Sequence, residues 1–245
     1  MKINHSADLA RISVRKQNTL LQREGGKDRI LGVKIGPCER DKRSTFQRRS
    51  KTLAFYNKNA RQFCSSTQRL NLRKLYSSFL KELPPAAHIL DAGCGSGRDT
   101  KAFLARGYKV KAIDASHQLA LMATKFTGQH CETVSFQNMD FHHKFDGIWA
   151  CASLLHTSRA EMSLILRRFA NALKQNGVLY VSLKEGHGEY LAEDGRFFSH
   201  YTQRDFATLL TGKGLFKIMR AWKTNTPDSS GQMTNWLNFL AQKTS

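Results

Sequence analysis

Asp91, Gly93, Gly95 and Gly97 are the residues of this chain best suited by type and spacing to do chemistry. They stand at alternate positions directly after the apolar run Ile89-Leu90. Glycine reaches positive φ without strain and lets a ligand approach the backbone closely. A helical pattern starts after Gly97, and a helix start points free N–H groups outward. The stretch therefore predicts a strand, a tight turn and a helix start. Asp91 puts an anion where a phosphate loop avoids one, which points to a ligand with a cationic end. A dinucleotide fingerprint needs G-x-G-x-x-G, but Arg98 and Thr100 occupy the third glycine position in the two registers available. A P-loop fails too, because Gly26-Lys27-Asp28 and Gly212-Lys213-Gly214 lack the Ser or Thr.

Further acids follow at strand ends. Tyr108 to Asp114 reads as a second strand, and a carboxylate in the place of Asp114 accepts both hydrogen bonds of a ribose diol. Ser116 caps a helix that runs to about Thr127. Thr133 to Gln137 reads as a third strand, with Asp140 and Phe141 in the loop beyond it. Phe145 to Ala150 is a fourth, almost wholly apolar strand. Ser158-Arg159-Ala160-Glu161 is a capping box for a helix predicted to reach Asn176, with Gly177 as its stop. Val178 to Leu183 is a fifth strand. Phe216 to Thr224 and Trp236 to Gln242 read as a final antiparallel pair. Alternating strands and helices predict an α/β fold: a Rossmann-like, seven-stranded, mostly parallel sheet with helices on both faces and the last strand antiparallel.

The D-x-G-x-G-x-G stretch after a strand resembles motif I of the class I S-adenosylmethionine (SAM) dependent methyltransferases, and the downstream acids agree with it. The resemblance runs from about Thr52 to the C-terminus and is strongest over residues 89–185. It implies SAM as cofactor, with the glycine loop under the methionine part of SAM. It gives Asp140 the place of the acid that accepts from the adenine amino group. It places Tyr56, in a helical region over the pocket, near the methionine moiety. The cofactor-binding set so implied also takes in Asp91, Gly93, Cys94, Gly95, Gly97, Asp114, Ala115 and Phe141.

Methyl transfer from a sulfonium is an in-line displacement with an activated donor, so alignment and exclusion of water matter most. His156, just past the fourth strand, is the candidate general base, with a helix-capping or carbonyl-satisfying role as its alternative. Lys184, Glu185, Arg196 and Tyr201 are the candidates for the acceptor side. Adjacent histidines in Asp140-Phe141-His142-His143 point apart in an extended chain, so no metal site is expected there. The motif of amino-directed nucleic-acid methylases, Asp/Asn-Pro-Pro-Tyr/Phe, is missing after the fourth strand. The one Pro-Cys pair, Pro37-Cys38, lies outside the core motifs. Ala152-Ser153-Leu154-Leu155-His156 resembles small-molecule methyltransferases. Gly195-Arg196-Phe197-Phe198 with Tyr201 is similar to bacterial tellurite-resistance-type enzymes.

The predicted activity is thus methyl transfer from SAM to a small-molecule acceptor. The rivals are an RNA or ribosome-associated methyltransferase and a binding module that holds SAM without turnover.

The organisation follows from composition. The chain has 245 residues and a formal net charge of +20. Residues 1–50 are basic, glycine-punctuated and poor in periodic apolar residues, which predicts a disordered extension; Gly36-Pro37 and Arg40-Asp41-Lys42-Arg43 are expected to break any helix. A nucleic-acid partner held through residues 1–50 is ranked below the small molecule. Residues 51–84 form a helical cap, with Leu70, Leu72, Leu75, Phe79 and Leu80 as its apolar stripe, and 85–245 the core. Five scattered cysteines without C-x-x-C read as reduced thiols. With no apolar run long enough to span a bilayer and no apolar leader at the N-terminus, a cytoplasmic enzyme with no membrane partner is expected.

Overall fold

The computed structural model describes residues 29–30, 33–34, 37–227 and 233–244. The chain divides into a unit of Met1–Phe46 and a unit of Gln47–Ser245. In the first, β1 (Arg29–Ile30) pairs antiparallel with β2 (Val33–Lys34). Residues 1–28, most of the extension expected to be disordered, lie outside the described residues.

Helix α1 (Pro37–Lys58) starts at Pro37 and continues through Arg40–Arg43, where the charge run was expected to break it. Proline suits a first helical position, because its fixed φ is already helical and its missing N–H is not needed there. Residue 50 therefore falls inside a helix. Helices α2 (Ala60–Thr67) and α3 (Arg73–Leu80) follow. Leu70 lies in the linker between them and is 52% exposed, so it is not on the apolar stripe; Tyr76 and Phe79 are the buried side chains of α3.

The core alternates as the sequence predicts: β3 (His88–Ala92), α4 (Arg98–Leu104), β4 (Lys109–Asp114), α5 (His117–Thr127), β5 (Cys131–Thr133), β6 (Phe145–Cys151), α6 (Arg159–Ala172) and β7 (Leu173–Lys184). A hairpin of β8 (Glu189–Leu191) and β9 (Phe197–Ser199) precedes α7 (Gln203–Thr211), β10 (Phe216–Pro227) and β11 (Met233–Lys243). The seven-stranded sheet has the order β10-β11-β7-β6-β3-β4-β5. Only β11 runs antiparallel to its neighbours. Because β4 and β6 flank β3 on opposite sides, the order reverses at β3. Open α/β sheets bind ligands outside the strand ends at such a point.

Helix caps form at Ser116, Ser158 and Thr202, whose hydroxyls accept from the N–H groups of Leu119, Glu161 and Asp205. Two boundaries differ from expectation. Helix α6 stops at Ala172, because Leu173 already pairs with Phe145 in the sheet; Asn176 then turns the chain at φ 62°. The third strand is Cys131–Thr133 rather than 133–137, and Phe136–Asn138 forms a 3-10 turn.

Both faces of the sheet are covered. Phe79, Phe103, Trp149 and Tyr180 pack on one face, with Trp149 stacked on Tyr180 at 3.9 Å. Ile148, Ile165, Leu166 and Phe169 belong to the larger cluster that includes Leu179 and Phe239. Burying such side chains contributes about 1.5–3 kcal/mol each before entropy is counted.

Candidate active site

The glycine turn closes on itself and on the next strand. Gly93 N and Cys94 N both donate to the carbonyl of Ile113 at 2.9 Å. All three glycines have positive φ: 81° at Gly93, 54° at Gly95 and 76° at Gly97. A Cβ on Gly93 would lie 2.5 Å from Ser153 Cβ, so the turn passes directly under the end of β6. Gly97 has a different task. A Cβ there would press on Thr127 and Ala123, so Gly97 permits α4 to pack against α5 rather than making room for a ligand.

Asp114, at the end of β4, reaches back to the turn. Its Oδ2 accepts from Gly95 N at 2.9 Å and its Oδ1 from Ser116 N at 2.8 Å. Burial pushes its pKa up, and those two backbone bonds oppose the rise. Each oxygen keeps a second acceptor site.

A cleft of about 780 Å3, counting its open mouth, lies above the turn. Of the predicted residues it brings together Tyr56, Gly93, Gly95, Asp114, Ala115 and His156. Thr52, Leu53 and Phe63 from the cap, Leu119, Val134–Gln137 and Ala152–Ser153 share the wall with Arg49, Ser116 and Thr157; sequence reasoning named none of these as site residues. The mis-set third strand hid Val134–Gln137. With the strand ending at Thr133, these residues take the place after the strand end that had been given to Asp140. Asp140 itself has a side chain 81% exposed and pairs with His142. Phe141 packs edge-on against Phe145.

Asp91 and Cys94 lie beneath the turn and not on the cavity wall. Asp91 Oδ2 accepts from the Thr100 hydroxyl at 2.6 Å, which satisfies the buried acid without a ligand. Burial, and then the charge of Asp99, raise its pKa. Cys94 fills a small apolar cluster with Ala112, Ala120, Ala123 and Cys131.

Tyr56 and His156 meet across the cleft. His156 Nδ1–H donates to the Phe197 carbonyl at 2.7 Å, which leaves Nε2 to accept from the Tyr56 hydroxyl at 2.8 Å. Burial lowers the His156 pKa to about 4, and the cations Arg196 and Lys184 add to the effect. Burial raises Tyr56, with Arg196 opposing. Both rings are therefore neutral near pH 7.

None of the four acceptor-side candidates lines the cleft. Arg196 is held by Asp194 and stacks on Phe55 at 4.5 Å and Phe198 at 5.2 Å. Lys184 lies 5.0 Å from the Phe198 ring. Glu185 pairs with Lys223 at 2.6 Å. Tyr201 is wholly buried under the Arg159 guanidinium.

The cleft fits SAM in three respects. Asp114 offers two oxygens to a diol, Leu119, Val134 and Phe136 offer an apolar slot to a planar base, and the glycine turn leaves its backbone bare. In addition, the Ser153 hydroxyl on the wall is buried without a hydrogen-bond partner among the described residues. Among those residues no His, Cys, Asp or Glu cluster suits a metal, and no helix is long and apolar enough to cross a membrane.

Residues 89–177 match the family model described as a methyltransferase domain. An uncharacterized methyltransferase from Staphylococcus carnosus is 25% identical over 136 residues, 55% of this chain and 65% of that protein, so the match spans slightly less than two thirds of the relative. A SAM-dependent methyltransferase from Methanosarcina mazei superposes with a TM-score of 0.64 at 21% identity, over 71% of this chain and 99% of that one. A 1,6-didemethyltoxoflavin-N1-methyltransferase from Burkholderia thailandensis, solved with 1,6-didemethyltoxoflavin and S-adenosylhomocysteine, gives 0.66 at 21% identity over 89% and 95%.

Proposed function

We propose that this chain, whose residues 89–177 match a methyltransferase domain, is a class I SAM-dependent methyltransferase that transfers the methyl group of SAM to a small-molecule acceptor. The observation that carries this reading is the roof of the cleft. Thr52, Leu53 and Tyr56 of α1 line the same cleft as Gly93 and Gly95 of the turn, so an acceptor must fit between this helix and the sheet end, which suits a compact molecule better than a polymer. The Burkholderia enzyme, whose similarity spans 89% of this chain, acts on a small heterocycle and supports the same class. A labelled-SAM assay against fractionated metabolites and RNA tests it: label in a low-mass fraction is expected, and label confined to RNA refutes it.

When bound, SAM supplies a methyl group already activated on a sulfonium. Asp114 would hold its ribose diol, and Val134, Phe136 and Leu119 would take its adenine. Gly93 and Gly95 would receive the methionine part, and the Ser153 hydroxyl, unpartnered among the described residues, would donate to it. The Tyr56–His156 pair orients the acceptor. Arg49 and Gln137 both bond to Glu161, at 3.4 and 3.1 Å, which ties the roof to the adenine side of the cleft and helps exclude water.

Asp114→Ala is expected to weaken S-adenosylhomocysteine binding by about 1–3 kcal/mol, roughly 5–150-fold, because two hydroxyls lose a charged acceptor. Calorimetry reads this directly, and unchanged affinity would remove Asp114 from the site.

His156 also predicts a pH dependence. Its folded pKa, about 4, lies below the ordinary imidazole value of 6.5. Between these values the unfolded chain binds a proton that the folded chain refuses. Stability is therefore whole above about pH 6.5 and falls on acidification toward pH 4, by at most about 3 kcal/mol from this group. His156→Gln should flatten that part of the acid limb in urea melts at pH 7, 5.5 and 4.5. Parallel limbs in the two proteins would contradict a buried neutral imidazole.

A further inference from the structure

Methyl transfer in the cleft leaves the charge of this chain unexplained. The cap concentrates it: residues 51–84 hold seven Lys or Arg against one acid, Glu82, which pairs with Lys81 at 3.4 Å. All seven are exposed. Two grooves open on the flanks of these helices. One, of about 980 Å3 counting its open mouth, lies between the start of α2 and α5 and presents Lys58, Arg61 and Lys125 with the amides of Asn57, Gln62 and Gln118. The other, of about 710 Å3 on the same measure, presents Arg73, Lys81 and Arg106 beside Tyr76 and Tyr108. Neither groove is lined by a carboxylate. Helix α4 packs on α5, so the grooves belong to neighbouring helix pairs, and exposed Arg69 sits in the linker between α2 and α3.

We propose that this face binds single-stranded nucleic acid, with the cations of the two grooves on successive phosphates and the groove amides and Tyr108 toward sugars and bases. Cations spread over two grooves suit a ligand with repeating anions better than one small phosphate. Side-chain amides and a half-buried tyrosine supply hydrogen bonds and a stacking edge, which single strands use. An anionic membrane fits less well. Between residues 51 and 130 the exposed large apolar side chains are Leu70 and Leu121, too few for the apolar face that an interfacial helix inserts. The proposal does not depend on what the cleft methylates.

The test uses the full chain without cofactor and a fluorescent 20-nucleotide oligouridylate, read by anisotropy at 50 and 200 mM KCl. Arg61→Glu/Lys125→Glu and Arg73→Glu/Lys81→Glu should each raise Kd about tenfold at 50 mM and flatten the salt dependence. Arg61→Gln/Lys125→Gln should give a smaller loss in the same direction. Arg204→Glu/Lys217→Glu, toward the opposite edge of the sheet, makes the same charge change and should leave Kd within about twofold, with thermal melts checking all variants. Equal weakening by that control pair would mean generic basicity and would overturn the proposal, as would absence of oligonucleotide binding by the parent chain. Groove variants that lose phosphatidylserine vesicles but keep the oligonucleotide would overturn it in favour of a membrane. Methyl label on RNA in the activity assay would replace the small-molecule reading and leave the binding face standing.

Discussion

Gly93→Ala is expected to abolish measurable S-adenosylhomocysteine binding while the chain still melts cooperatively. Two costs combine. The position has φ 81°, where a side chain other than glycine costs about 1–2 kcal/mol. The added Cβ would also lie 2.5 Å from Ser153 Cβ. That neighbour is a Cβ next to the end of β6, not the free tip of a flexible chain, so it cannot swing aside. The turn must move instead. It then loses bonds from Gly93 and Cys94 to Ile113 O and the Gly95 bond that aims Asp114. Gly107→Ala is the control. It shares the strain, with φ 82°, but its Cβ would meet nothing within 4 Å. It should lose about 1 kcal/mol of stability and bind normally. Calorimetry and melts of the pair separate strain from lost ligand space. Binding by Gly93→Ala within threefold of the parent would show that the turn is not the cofactor cradle.

This contrast marks what a sequence can disclose. The strand, acid, glycine turn and helix start of residues 89–99 are local, and their residue types dictate them. The same holds for the caps at Ser116, Ser158 and Thr202, where one hydroxyl precedes each helix. The third strand was not legible, because three residues carry too little of a period-2 pattern to set its ends. That error moved the predicted adenine contact to Asp140 and hid Phe136 and Gln137. The charged candidates lie off the cleft wall for another reason. Arg196 finds Phe55, and Glu185 finds Lys223, across long stretches of chain, and no spacing rule reports such pairings. His156 was visible as a residue beyond a strand, but its tautomer is set by Phe197 and its partner by Tyr56, one hundred positions away.

The largest stability effect is expected one residue into α4. Asp99 is buried and accepts from three side chains: Tyr76 Oη at 2.5 Å, Trp149 Nε1 at 2.8 Å, and Arg98 through Nε at 2.6 Å and Nη2 at 2.8 Å. Burial alone would raise its pKa, but Arg98 and these donors hold it below the usual carboxylate range. Asp99→Ala strips the acceptor and leaves a largely buried guanidinium, a phenol and an indole N–H without it. Removing one partner of a buried pair costs about 3–5 kcal/mol. For a chain of this size that lowers Tm by roughly 6–20 °C. Asp99→Asn keeps an acceptor and should lose less. Arg98→Met/Asp99→Leu removes both charges and should recover much of the loss, since an apolar replacement of a buried pair is often neutral. The network lies under the glycine turn through Gly97 and Arg98, so Asp99→Ala should also weaken S-adenosylhomocysteine binding, and the double variant should restore stability more fully than affinity. Urea melts and calorimetry on the three variants decide it. A double variant no more stable than Asp99→Ala would mean that the cost comes from the unpaired Tyr76 and Trp149 donors rather than from the stranded charge.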